Sequence, residues 1–231
     1  DISYNKSAHE VVTGTYDLAD PLAVHGRRFG MVLPLAAIHR LLGAGEVTGC
    51  IPSFLASFAL LALVMAVARR FSGRAMWVAG GLWACLPLNV LYSTSCFPDL
   101  VQTALAAFGF WAIHAGATAR RAIVAGLLIG LSWTAKETAV YWGVAIVAYL
   151  LWTRQGFKPL LLFCASAALI PVAEIVLYGL AVGSPLLRIQ AIRGNYVLDL
   201  EANFYPTTLS IVKRLTIELP LLLFSPTRPG N

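Results

Sequence analysis

Residues 120–154 read RRAIVAGLLIGLSWTAKETAVYWGVAIVAYLLWTR. Between the basic ends the stretch is uncharged except for Lys136-Glu137 near its centre. As a single helix, residues 122–153 would reach about 48 Å at the α-helical rise, against a hydrocarbon core of about 30 Å. One helix would also put Arg120-Arg121 and Arg154 on opposite sides of a membrane. Basic residues beside spans collect on the cytoplasmic side. Two short helices with Lys136-Glu137 at an outer turn satisfy both constraints.

The same rule orders the flanking chain. Arg69, Arg70 and Arg74 follow the uncharged run 47–68, and Arg154 with Lys158 precedes 159–187. Placing all three basic clusters in the cytoplasm requires an even number of crossings between them. The interval 75–119 then holds two helices, 75–92 and 99–118, with Asp99 at their outer turn. Residues 29–43 are apolar but short, with Pro34 and Arg40 inside, and suit a juxtamembrane helix. Residues 1–28 read as polar and irregular. The 188–208 loop follows one further outward crossing. Asp99, Lys136-Glu137, the 1–28 segment and the 188–208 loop are thus all expected on the external face.

Composition agrees. Apolar residues make up 58% of the chain and charged residues 12%, where soluble domains carry about 25% charged. The net charge of +6 falls between apolar runs, where topology places it, so nucleic acid is not an expected partner. The expected fold class is all-α: a polytopic transmembrane bundle with external loops and juxtamembrane helices. Residues 1–231 form one domain in this reading. It comprises a first external segment with its juxtamembrane helix (1–46), about six spans (47–187), an external loop (188–208) and the start of a further helix (209–224). The chain opens at Asp1 and stops soon after an apolar run, so it reads as a fragment lacking helices at both ends and inactive alone.

Carboxylates beside cations at a membrane surface suit chemistry on a lipid-linked phosphate. A carboxylate takes the proton of an attacking hydroxyl, and Arg or Lys holds the phosphate as it leaves. Each residue also has a structural reading. Asp99, after Pro98, suits the first turn of a helix. Thr134-Ala-Lys-Glu137 fits a capping box. Lys136 suits snorkelling, and Arg27-Arg28 suits lipid headgroups. Glu174, alone in an apolar run, is the one residue that suits a transporter. Tyr92, Trp133, Tyr141 and Trp152 suit interface belts. Asn5-Lys-Ser7 is a glycosylation sequon of a length common by chance. Cys50, Cys85, Cys96 and Cys164 form no CxxC pair and read as small packed residues, with Cys85 and Cys96 too far apart on one helix to bond. No Walker A motif or metal-ligand spacing occurs.

The order of these signals resembles the polyprenyl-phosphate-sugar-dependent glycosyltransferases of the GT-C superfamily, in the bacterial protein O-mannosyltransferase-like and aminoarabinose-transferase-like branch. The resemblance rests on Asp1-Ile-Ser-Tyr4, Arg27-Arg28-Phe29 running to Leu33-Pro34-Leu35, Leu41-Leu42-Gly43, Arg69-Arg70 with Gly73, Phe97-Pro98-Asp99, and Thr134-Ala-Lys136-Glu137. It covers roughly residues 1–155. It implies a multi-pass protein of the plasma (inner) membrane with its active site on the periplasmic or extracellular face. The implied reaction is inverting transfer from a polyprenyl-phosphate-linked sugar to a protein, lipid or glycan acceptor. Asp1 matches the family's catalytic acid/base and Asp99 a second active-site acid. Tyr4, Arg27, Arg28, Lys136 and Glu137 match substrate-binding positions. No cofactor is assigned with certainty, and a divalent cation stays open. Ile2 follows Asp1 where many members have Glu, and the Lys-Pro-Pro of the aminoarabinose branch is absent. A transporter or flippase, or a degenerate scaffold of the family, is the alternative reading.

Overall fold

The computed structural model describes residues 2–19 and 25–192. All regular structure among them is helical: α1 (Ile2–Thr13), α2 (Phe29–Leu42), α3 (Glu46–Ala68), α4 (Gly73–Cys85), α5 (Pro87–Ser93), α6 (Pro98–His114), α7 (Ala119–Ala135), α8 (Ala139–Trp152) and α9 (Phe157–Val182). Asp1 and the 193–208 and 209–224 readings lie outside the described residues.

Two of these helices, α3 and α9, are long and apolar enough to cross a membrane alone. The bent pair α4–α5 is a third candidate, turning by 63° where the expected helix 75–92 breaks before Pro87. A proline clashes with the preceding turn and lacks the N–H that would continue the ladder. The break also corrects the shared helix drawn for Cys85 and Cys96: Cys85 ends α4, and Cys96 is buried in the turn after α5. Cys85 and Cys164 are exposed rather than packed among helices.

Unlike a soluble domain, the bundle carries large apolar side chains on its outer surface as well as in its core. Ala, Gly and Ser fill much of the interior, while Trp77, Leu82, Trp152 and Leu180 point outward. Helices in lipid associate by close packing rather than by hydrophobic burial, so small residues gather at their interfaces. Gly126 shows this best. A Cβ there would lie 2.0 Å from Ser166 Oγ and 2.4 Å from the Phe163 carbonyl, so α7 and α9 meet nearly backbone to backbone.

Residues 2–13 correct the expectation of an irregular leading segment, because α1 is a helix. Its Tyr4, Ser7 and Ala8, at i, i+3 and i+4, are buried, and Tyr4 and Ala8 pack with Met31, Val32 and Leu35 of α2. One hydrophobic stripe on a short polar segment is a faint signal that tertiary packing makes decisive. The same packing sets half-buried Asn5 against Gly49 of α3 and buries Ser7 of the sequon.

Side-chain contacts tell the two ends of the bundle apart. At one end Arg70 sits over the Trp111 ring, 4.2 Å from its centroid, and Arg121 donates to the Ala115 carbonyl. At the other end the starts of α2 and α6, the α7–α8 turn and the end of α9 come together. The first turns of α3 belong to this second end too, because Ser53 Oγ donates to the Phe97 carbonyl at 2.8 Å. Both ends of α2 therefore stay on one side of the bundle, and α2 runs along that side without crossing.

Candidate active site

Lys136 and Glu137 occupy the turn between α7 and α8, where their side chains face opposite partners. Lys136 Nζ donates to Asp99 Oδ1 at 2.5 Å, joining this turn to the first turn of α6. The two side chains are 24% and 35% exposed, so this pair is the more open of the two in the turn. Gln102, one turn along α6 from Asp99, ties the same elements: its carbonyl accepts from Ser132 Oγ at 3.1 Å, and its side-chain oxygen from Thr138 Oγ1 at 3.0 Å.

Glu137 turns inward to Arg28. The guanidinium donates through Nη2 to Oε1 at 2.7 Å and through Nε to Oε2 at 3.3 Å. This is the two-pronged geometry that a planar fork makes with a carboxylate. Arg28 Nη1 also donates to the Tyr4 hydroxyl. Both members of the Arg28–Glu137 pair are nearly buried. Burial by itself would push the Glu137 carboxyl up, but the charge and hydrogen bonds of Arg28 outweigh it and hold the group below its ordinary value. Burial would likewise push Arg28 down, and Tyr4 with Glu137 reverses the sign. The Tyr4 phenol is pushed up to about 12 by burial against the opposing charge of Arg28. Arg28 and Glu137 are therefore ionised at neutral pH and Tyr4 carries its proton.

Gly30 makes this seating fit. A Cβ on it would stand 2.4 Å from Thr134 Oγ1 and 2.6 Å from the Ala135 nitrogen. The start of α2 thus rests directly on the last turn of α7, two residues from Arg28 on one side and two from Glu137 on the other.

Three structural readings change. The capping box is absent: Thr134 lies inside α7 with its hydroxyl on the Leu131 carbonyl, Thr138 precedes α8, and Glu137 is taken by Arg28. Lys136 pairs with Asp99 rather than snorkelling. Arg27 is buried and Arg28 nearly so, neither spread on a headgroup surface; the Arg27 carbonyl accepts from Tyr178 Oη at 3.3 Å, and Phe29 stacks on Tyr178 at 6.0 Å. Trp133 Nε1 donates to Glu174 at 2.8 Å. Asp99 does start a helix, and it carries an ion pair as well.

Of the sequence-derived site residues, Tyr4, Arg28 and Glu137 form one cluster. Asp99 and Lys136 form a second that shares the α7–α8 turn. Arg27 adjoins through its backbone, and Asp1 lies outside the described residues. Sequence reasoning did not connect Glu174 with Arg188. Arg188 Nη1 donates to both Glu174 oxygens at 2.8 and 3.0 Å, and Nη2 lies 3.9 Å from Glu137. The sole signal was a lone acid in an apolar run. Among the described residues no three His, Cys, Asp or Glu side chains gather as a metal-binding group.

The arrangement offers a partly exposed carboxylate–ammonium pair, backed by a nearly buried guanidinium–carboxylate layer, at one end of an apolar bundle. It can present a cation to an anionic headgroup and a carboxylate to a hydroxyl at the membrane boundary. Comparison with known proteins gives one family match: the family described as dolichyl-phosphate-mannose-protein mannosyltransferase matches residues 31–178, which include Asp99, Lys136, Glu137 and Glu174. No match is found among curated proteins or among solved structures.

Proposed function

Because the chain belongs to the dolichyl-phosphate-mannose-protein mannosyltransferase family, a family of membrane glycosyltransferases, we propose that the polar end of its bundle moves a sugar from a polyprenyl-phosphate donor to a hydroxyl. The acceptor is a protein, lipid or glycan, the site faces the external side of the plasma (inner) membrane, and the transfer inverts the anomeric centre. The observation that carries this reading is the convergence of Asp99, Lys136, Arg28, Glu137 and Tyr4, from four separate parts of the chain, at one end of the helices.

The acceptor oxygen attacks the anomeric carbon from the face opposite the phosphate. The new C–O bond forms as the bond from the anomeric carbon to the phosphate oxygen breaks, and the polyprenyl phosphate leaves with the electron pair. The acceptor's proton passes to a carboxylate, assigned to Asp1 through its position in the family motif, with Asp99 as the second acid. Lys136, more exposed than Arg28 beside it, is the cation assigned to meet the departing phosphate. Arg28 and Glu137, nearly buried, shape the wall behind it, with Arg27 and Tyr4 completing that side. A cation set against charge that grows during the reaction stabilises the transition state more than the ground state.

The transporter alternative rests on Glu174 in its apolar run, and Glu174 is paired with Arg188; the family match favours glycosyl transfer. The test is transfer of label from polyprenyl-phosphate sugars by the full-length protein in membranes, with Asp1→Asn and Asp99→Asn as variants. Transfer by the wild type that either variant abolishes supports the assignment of that residue. Wild-type activity in a variant removes its residue from the catalytic role.

A further inference from the structure

Glu174 and Arg188 lie outside the chemistry just described, yet they form a buried, multiply hydrogen-bonded pair in which Arg188 Nε alone of the guanidinium nitrogens has no partner among the described residues. The Glu174 carboxylate accepts from Arg188 Nη1 at 2.8 and 3.0 Å, from Trp133 Nε1 at 2.8 Å and from Tyr178 Oη at 3.2 Å. Arg188 Nη2 donates to the Trp133 carbonyl at 2.7 Å, and its guanidinium carbon sits 5.1 Å from the Trp133 ring centroid. The two side chains are 6% and 4% exposed.

A pair this buried is an inefficient way to stabilise a fold, because apolar residues of the same volume often do as well. What an apolar pair could not do is set a second guanidinium beside Glu137. Arg188 Nη2 stands 3.9 Å from Glu137 Oε2, on the carboxylate whose other oxygen takes Arg28 Nη2 at 2.7 Å. Glu137 is thus held between two cations, one anchored on α9 and one at the start of α2. Its orientation in turn directs the Arg28 fork and the Tyr4 hydroxyl.

We infer that Glu174 and Arg188 are positioning residues of the transfer reaction: Glu174 and the Trp133 carbonyl fix Arg188, which holds Glu137 so that Arg28 and Tyr4 face the donor. The inference rests on the glycosyl-transfer reading of the site. Neither residue touches substrate, and both act through Glu137.

The test is donor kinetics of the full-length protein in membranes, normalised to folded enzyme, with a polyprenyl-phosphate sugar that the wild type transfers. Glu174→Gln keeps the shape and removes the charge, and Arg188→Lys keeps the charge and removes the fork. Each is expected to lower kcat/KM about 100-fold, the order expected for a misplacement near 1 Å. Each is also expected to add little further loss to Glu137→Gln, since the effect passes through that residue. Wild-type kinetics in either folded variant overturns the inference, as do losses that multiply with that of Glu137→Gln. Failure of both variants to fold makes the pair structural and overturns it too. A folded wild type that transfers no sugar from any donor overturns the underlying reading instead, which keeps the two failures apart.

Discussion

Replacing Gly30 by alanine tests the seat on which the site is built. The added Cβ would stand 2.6 Å from the Ala135 nitrogen and 2.9 Å from the Thr134 carbonyl carbon, both backbone atoms of α7. The Thr134 hydroxyl at 2.4 Å can rotate away, but the backbone of a packed helix end cannot. Reaching ordinary contact at 3.4 Å requires the start of α2 to retreat by about 0.8 Å, the difference between 3.4 and 2.6. Added to the 2.7 Å between Arg28 Nη2 and Glu137 Oε1, that retreat gives about 3.5 Å, where a hydrogen bond has lost most of its strength. Overpacking of this kind costs about 1–3 kcal/mol, which is about a 5- to 150-fold fall in the folded-to-unfolded ratio. The assay is thermal unfolding of the purified full-length protein in detergent, together with transfer activity. Gly81→Ala is the control, since nothing lies within 4 Å of its Cβ and a helical alanine is favoured over glycine. If Gly30→Ala proves as stable and as active as Gly81→Ala, the tight seat of α2 on α7 is refuted.

Three other outcomes follow from the same geometry. Lys136→Met and Asp99→Asn should each change stability by only about 0.2–1 kcal/mol, because the pair is partly exposed, while each sharply lowers transfer; unfolding and donor kinetics on the same samples separate the two effects. The Glu137 carboxyl is held below its ordinary value, so the folded state binds this proton less readily than the unfolded chain does. The stability it contributes is complete above the ordinary carboxylate value of 4.5 and is lost as pH falls through the lower folded value. Unfolding measured from pH 7 down to pH 3 should therefore show an acid limb that Glu137→Gln flattens, from a baseline lowered by the stranded Arg28. Gly126→Val should be more damaging than Gly30→Ala, since its Cβ meets both Ser166 and the Phe163 carbonyl inside the α7–α9 interface; the yield of folded protein reports it.

The helical bundle was legible because apolar run length and basic clusters are one-dimensional signals. The break of residues 122–153 at Lys136-Glu137 could be found by length alone, and α7 and α8 end and begin there. The convergence of polar turns at one end followed from counting crossings. What escaped was anything decided by contact. α1 carries one small buried stripe, which reads as a polar segment until α2 is placed against it. Glu137 fits a local capping pattern in sequence, yet a cation 109 residues away takes it. Arg188 and Glu174 lie on either side of a helix end, and nothing in their spacing shows that Trp133 and Glu137 complete their group. Gly30 looks like any other small residue of an apolar helix until the backbone of α7 is seen beneath it.

Glycosyl transfer at this polar end can be tested directly. The most direct measurement offers a panel of radiolabelled polyprenyl-phosphate sugars to the full-length protein in membranes and compares the wild type with Asp99→Asn and Lys136→Met. Label from at least one donor should reach an acceptor in the wild type and fall steeply in both variants, with folding retained. Folded wild-type protein that moves label from no donor, or variants that transfer as well as the wild type, would contradict it.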